Sequence, residues 1–370
     1  MKIVILKNNL KNALDLVGKA VGHNSNLPIL SNVLIKTLEN KVRVVSTNLE
    51  IGIASDVSGK VVEDGGITVP YDLIYGIVSN LSSERVNLEA KNNNLLVKTD
   101  NYEASLQGIN ESEFPIIPKV GEKNGHIEFD QGVLKRALDK VVIAAGENNL
   151  RPEINSVLIV VEPSVVKFVA TDSFRLAESR IEGPQFKNTI SEGFKAIVPL
   201  KTAQIISRVL KEDGEEKVSF YFDGSQMLTR AGGTEIISRL VDGKFPDYEA
   251  IVPKSIEAET LVNRAELVNA LKLANSFAAK AKEVKVRIKD KRVMEIYSSD
   301  AAIGENKYLI PVKSTGGDFE VTFNLSYLLD GVRSDASEQV YVGFNGDSKP
   351  TLIKTPNQAS YFYILMPVKA

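Results

Sequence analysis

The sequence predicts an α+β fold in which one unit, two helices packed on antiparallel sheets, occurs three times. Three observations carry that prediction. The first is a strand, a short polar hinge and a second strand, at residues 44–56 (VVSTNLEIGIASD), 168–179 (FVATDSFRLAES) and 295–307 (EIYSSDAAIGENK). Thr47, Thr171 and Ser299 hold corresponding hinge positions about 125 residues apart, the size of an ordinary domain. The second is the pair Ile67-Thr68-Val69-Pro70 and Ala196-Ile197-Val198-Pro199, each leading into a helical pattern. The third is the exit from the first and second units, Phe114-Pro115 and Phe245-Pro246. Domains are therefore expected at 1–120, 121–250 and 251–370.

The first unit opens with a strand at 2–6. Leu10, Ala13, Leu14, Val17 and Val21 follow at helical spacing, with Asn8 as the expected N-cap. Strands at 32–37 and 42–46 are rich in β-branched residues, and Asp64-Gly65-Gly66 marks a turn before a strand at 67–69. After Pro70 a second helix should bury Leu73, Ile74, Ile77, Val78 and Leu81, two strands at 86–90 and 95–99 finish the unit, and residues 102–106 lead out through Phe114-Pro115.

The second unit repeats this order. A strand at 126–129 precedes a helix with Val133, Leu134, Ala137, Leu138, Val141 and Val142 inward. Strands at 156–161 and 165–170 enter the Thr171 hinge, and a second helix turns Ala203, Ile206, Val209 and Leu210 inward. In the third unit Asn263 and Glu266 form an Asn-x-x-Glu cap before Leu267, Ala270, Leu271, Ala274 and Phe277. A short strand near Glu257 opens the unit, strands at 284–288 and 293–297 enter the Ser299 hinge, residues 319–323 precede a helix around 325–332, and residues 341–344 with the terminal YFYILMPVKA close it.

With 43% hydrophobic and 25% charged residues, the 370-residue chain is globular rather than disordered, and no apolar run approaches a membrane span. Residues 1–6 are too short for the apolar core of a signal peptide. The chain has no cysteine, which removes disulfides, thiolate zinc sites and thiol nucleophiles and fits a reducing cytoplasm. A net charge of −2 does not exclude nucleic acid, because binding depends on where the 45 Lys and Arg lie.

Catalytic patterns are missing: there is no P-loop, no dinucleotide fingerprint, no HExxH and no GxSxG. His23 and His126 stand alone and read as ordinary surface residues; the paired glycines at 65–66, 232–233 and 316–317 read as turns. Asp172 and Arg175 have no nucleophile or base beside them in sequence. No catalytic residue, metal or cofactor is expected. What repeats is basic residues on amphipathic helices: Lys11, Lys19, Lys135, Arg136, Lys140, Arg208, Lys211, Lys272 and Lys280, to which Arg151 is added. Similar faces on similar units would meet a polyanion through its phosphates, without reading bases.

These residues carry a resemblance. Leu27-Pro28-Ile29-Leu30, ATDSFRLA at 170–177, FPDY at 245–248 and Met366-Pro367, in that order within three repeats, make the whole chain similar to the bacterial DNA polymerase III β-subunit family, the β sliding clamps. The resemblance implies a non-enzymatic protein of three clamp-type domains, closing as a head-to-tail dimeric ring around double-stranded DNA, with helices lining the hole. Its implied partners are the polymerase III catalytic subunit, the clamp loader and other proteins bearing a clamp-binding motif. They would dock in a pocket comprising Ile154, Thr171, Ser173, Phe174, Arg175, Leu176, Pro246, Ile251, Ile364, Met366, Pro367 and Val368. The implied dimer seam joins Ala104, Leu106 and Ile109 to Phe277 of the other copy.

The chain departs from the family pattern at Ser173-Phe174, where Gly-His is usual, and at Lys369-Ala370, where Arg and a large apolar residue are usual. Asn24, Ser25 and Asn26 stand where a loop arginine is usual, and Pro152-Glu153 replaces an aromatic pair. Two other readings remain: a repeat scaffold that binds peptides without encircling DNA, and a hydrolase with an unrecognised site.

Overall fold

The computed structural model describes residues 1–22, 26–118, 120–121, 125–146, 151–190, 192–278, 280 and 282–368. His23, Asn24, Ser25, Lys369 and Ala370 lie outside them. Two compact units divide the chain: Met1–Gly132 with Phe186–Ser191 and Ile205–Leu240, and Val133–Gln185 with Glu192–Gln204 and Val241–Ala370.

The first unit holds a five-stranded and a nine-stranded antiparallel sheet. In the smaller, Lys2–Leu6 pairs with Gly59–Glu63 and Arg85–Lys91, and Glu103–Gln107 forms one edge. In the larger, Ile51–Val57 of the first repeat pairs with Thr234–Arg239 of the second, Ile53 opposite Ile236. Arg43 ties this join together, giving Nε to Asp56 at 2.6 Å and Nη1 to Glu235 at 3.2 Å. The second unit is built on a twelve-stranded sheet in which Arg175–Glu182 of the second repeat pairs with Tyr361–Leu365 of the third. Neighbouring repeats thus share sheets, and this is why the compact units cut across the sequence repeat.

Among the described residues six α-helices pack on these sheets: α1 (Lys7–Val17), α2 (Tyr71–Asn80), α3 (Gln131–Val142), α4 (Leu200–Val209), α5 (Arg264–Asn275) and α6 (Leu325–Arg333). The expected stripes bury Leu10, Leu14 and Val17 of α1, Leu134, Leu138 and Val141 of α3, and Leu267, Leu271 and Ala274 of α5. Asn263 caps α5 as expected, accepting from the Glu266 amide at 3.0 Å. Helix α6 approaches the sheet closely at Gly331, where a Cβ would stand 2.6 Å from the Tyr363 ring.

Two expectations fail. Asn8 is not a cap: α1 begins at Lys7, so that strand and helix are joined without a turn and Leu6 takes the cap position with no side-chain bond. In α2 only Ile74 and Val78 are buried; Leu73 is 49% exposed and lines a surface groove with Ile77 and Tyr102.

Candidate partner-peptide site

The Thr171 hinge is a hydrogen-bonded device. Thr171 Oγ1 donates to the Arg175 carbonyl at 2.7 Å and accepts from the Ser173 amide at 3.2 Å. Asp172 Oδ1 accepts from the Phe174 and Arg175 amides, both at 2.9 Å, and Ser173 takes φ +76° to close the turn. The first repeat has the same bonds: Thr47 Oγ1 donates to Ile51 O and accepts from the Leu49 amide, and Asn48 Oδ1 accepts from the Glu50 and Ile51 amides, with Leu49 at φ +75°. The third hinge keeps part of the device: Asp300 Oδ1 accepts from the Ala302 amide at 2.7 Å, while Ser299 is exposed and the strands stay paired out to Asp300 opposite Gly304.

The hinge aims its two large side chains oppositely. Arg175 turns inward, giving Nε to Asp172 Oδ2 at 2.8 Å and Nη1 to Asp330 Oδ2 of α6 at 2.7 Å, with its guanidinium 4.0 Å from the centroid of Tyr327. Burial alone would lower its pKa, but Tyr363, Asp172 and Asp330 outweigh burial and raise it. Phe174 turns outward and is 62% exposed.

The remaining pocket residues fall into two groups. Thr171, Leu176 and Ile364 stand opposite one another on three adjacent strands and share one sheet face. Leu176 and Ile364 are wholly buried in a cluster with Phe245 and Tyr248, against which Val252 packs. They form the floor beneath the 245–252 segment, from which Pro246 is half-buried and Ile251 is 41% exposed. The second group lies at the strand ends. Ile154, Phe174 and Arg175 line a cavity of about 560 Å³ with Leu200 and Gln204 of α4 and Tyr327 of α6. Half-buried Met366, Pro367 and Val368 run alongside; the Met366 amide donates to Phe174 O and the Val368 amide to Thr322 O, both at 2.8 Å. Sequence reasoning missed Tyr327, Leu200, Gln204 and Asp330, since no local pattern ties them to the hinge. Asp172 also lines the cavity, its carboxylate held by Arg175, and an apolar cavity with a few convergent polar groups suits a short peptide.

The expected DNA-facing cations are unequal. Arg136, Arg151, Arg208, Lys211, Lys272 and Lys280 are exposed, Arg151 reaching Glu153 at 3.2 Å. Lys11 and Lys135 form i,i+4 pairs with Asp15 and Asp139, and Lys19 bonds the Asp15 carbonyl. Lys140 turns inward instead: its ammonium meets Asp335 at 2.9 Å and lies over the Tyr361 ring. Among the described residues no group of acids and histidines could hold a metal.

At the expected seam, Leu106 is buried in its own sheet, Ala104 is half-buried, and Ile109 bridges to Thr68. What the strand Glu103–Gln107 leaves open is backbone. The Thr99 amide bonds Tyr102 O and the Gly108 amide bonds Asn93 O, so ladder alternation points the amides of Glu103, Ser105 and Gln107 away from the sheet. Exposed Leu73 and Tyr102, with Ile77, line a groove close by. In the second unit Gly304–Ser314 pairs with 293–300 over residues 304–311 and with 258–263 only over 312–314, leaving another edge open; Phe277, half-buried, follows α5.

Sequence models of the DNA polymerase III beta subunit match its N-terminal domain to residues 1–118, its central domain to 128–247 and its C-terminal domain to 249–369. A curated protein named "Beta sliding clamp" from Bacillus subtilis (strain 168) is 27% identical over 290 residues, 77% of this chain and 75% of that protein. The crystal structure of a DNA polymerase sliding clamp from Bacillus subtilis superposes with a TM-score of 0.93 at 26% identity, covering 100% of this chain and 99% of that one. A sliding clamp from Pseudomonas aeruginosa, crystallised bound to griselimycin, gives 0.92 at 25% identity with both chains fully covered.

Proposed function

The chain belongs to the DNA polymerase III β-subunit family, and from that premise we propose that it is a sliding clamp: a homodimer that encircles duplex DNA and tethers the replicative polymerase. The observation that carries this reading is the match of all three family domains, in order, over essentially the whole chain. The relatives named as sliding clamps favour it over a peptide scaffold that leaves DNA free.

On this reading the three domains span 1–120, 121–250 and 251–370, and two copies close head to tail. The open edge at Glu103–Gln107 of one copy adds to the open edge at 304–311 of the other, joining two sheets by backbone hydrogen bonds. Glu103 and Lys307 bring opposite charges to those edges, while Leu73 and Tyr102 supply apolar area beside them. Arg136, Arg151, Arg208, Lys211, Lys272 and Lys280 meet phosphates through exchangeable contacts that let the ring slide, with Lys11, Lys19 and Lys135 adding weaker charge. Lys140 is left out of this set.

The partner site is the pocket around Ile154, Phe174, Ile251 and Met366, with Leu176 and Ile364 as its floor. The polymerase catalytic subunit, the clamp loader and other motif-bearing proteins compete for it in the cytoplasm. No helix among the described residues is long and apolar enough to cross a membrane. The protein performs no chemistry of its own, and topology rather than affinity holds it on DNA.

Loading by the cognate clamp loader onto nicked circular plasmid tests the proposal. Retention on the circle, with rapid loss once the plasmid is linearised, is the expected result. Equal loss from both templates, together with a monomer by light scattering, would sink it.

A further inference from the structure

On the twelve-stranded sheet, side-chain alternation separates two faces. Tyr363, which packs on Gly331 of α6, stands opposite Ile353, and Ile353 opposite Val342; all three are buried on the helix face. The other face carries Leu176 and Ile364 of the pocket floor, then Leu352 and Lys354, then Tyr341, then Leu261, then Lys313. Leu176 and Ile364, which lie beneath the 245–252 segment that carries Ile251, therefore share one face of one sheet with the groove.

The far end of that face is a groove lined by Lys291, Arg292 and Lys313 around an apolar floor of Leu261 and Tyr341, with Glu259 as its one acid. All three cations are exposed. A fourth, Lys354, lies 5.1 Å over the Tyr341 ring. Burial, with Glu259 beside it, pushes the Tyr341 hydroxyl up to about 12, so it stays neutral and adds no negative charge.

We propose that this groove receives an acidic segment flanking the peptide that occupies the pocket. The inference rests on the peptide-binding reading above. Four strand steps of about 4.8 Å separate the strand of Ile364 from that of Lys313, so about six extended residues span from anchor to groove. Charge sets the sign of the occupant, and the apolar floor suits peptide side chains better than a phosphate backbone. Duplex DNA is disfavoured for a second reason: Lys272 lies on α5, across the sheet from this groove, and one duplex cannot meet both faces.

The test uses the full-length protein and two labelled peptides, one carrying only a Leu-Phe anchor pair and one extended from it, at either end, by a neutral spacer of about six residues followed by a run of about four Asp and Glu. The extended peptide is expected to bind about tenfold more tightly at low salt, as several exposed ion pairs together supply. That advantage should vanish in Arg292→Gln/Lys313→Gln and at about 0.5 M salt, while the short peptide binds the variant unchanged. Lys291 is left in place because it holds φ +59° in a tight turn. If the short peptide fails to bind wild type, the pocket reading falls. If it binds and the extension adds nothing, or the advantage survives the double substitution, the groove proposal is overturned. Displacement of the extension by a duplex oligonucleotide, without loss of the anchor, overturns it in favour of a phosphate site.

Discussion

Arg175 and Asp330 stand 155 residues apart in sequence and are joined by a 2.7 Å ion pair. The pair fastens the second-repeat hinge to α6 of the third repeat, and Asp172 and Tyr327 complete the enclosure of the guanidinium. In the sequence, Phe174-Arg175-Leu176 looks like one functional triplet. In the structure its members part: Arg175 is a strut, Leu176 is buried beneath the 245–252 segment, and Phe174 alone is largely exposed.

Arg175→Met should therefore cost stability before it costs binding. It leaves Asp172, only 10% exposed, without its cation, and about 3 kcal/mol is the usual penalty for breaking a buried pair. Chemical denaturation reads this directly. Arg175→Lys should recover less than half, since an ammonium cannot reach both carboxylates and lie flat on Tyr327.

Ser173→Gly should stabilise the protein. A serine at φ +76° carries left-handed strain that glycine does not, about 0.5–1 kcal/mol. Ser173→Val should lose more than that. Leu49→Gly is the matched experiment in the first repeat, and a gain at both hinges would establish that the two turns are energetically alike.

The hinges were legible because a Thr-Asx turn is local chemistry: one hydroxyl and one carboxyl or amide close four residues without outside help. The helix stripes of α1, α3 and α5 were legible through their period. Illegible were relations that depend on what lies above the stripe. Leu73 continues the pattern of α2 yet is 49% exposed, and Leu176 reads as an exposed anchor until the 245–252 segment is laid over it. Asp330 offers no signal at all, because the spacing of charges along α6 says nothing of a hinge in another repeat.

Glu295 makes stability depend on acid pH. Burial pushes its pKa up, but Lys289, Arg287 and Lys307 outweigh burial and hold the carboxyl down at about 2 against a usual 4.5. A depressed carboxyl stabilises above its unfolded pKa and loses that contribution as pH falls through the folded value. The loss between about pH 5 and pH 2 should be about 2 kcal/mol, after allowing for half-exposed lysines. Glu295→Gln should flatten the denaturation midpoint across that window; an unchanged slope would mean the cations contribute nothing.

Pocket substitutions should separate by exposure. Ile251→Ala and Phe174→Ala remove accessible apolar area and should weaken an anchor peptide by about 1–2 kcal/mol each, with little change in melting temperature. Leu176→Ala empties a fully buried site and should cost about 3 kcal/mol of folding stability. Calorimetry of binding beside thermal melts distinguishes anchors from floor.

Ser105→Pro tests ring closure. The Ser105 amide points out of its sheet, so proline there removes no bond to the neighbouring strand 94–98, and the fold should survive with an unchanged melt. An incoming strand would lose a donor at the centre of the joined edge and meet the pyrrolidine ring. Light scattering should then report a monomer that still binds an anchor peptide normally, because the pocket lies on the other compact unit. A variant that remains dimeric at micromolar concentration would move the seam away from this edge and onto the apolar groove of Leu73 and Tyr102.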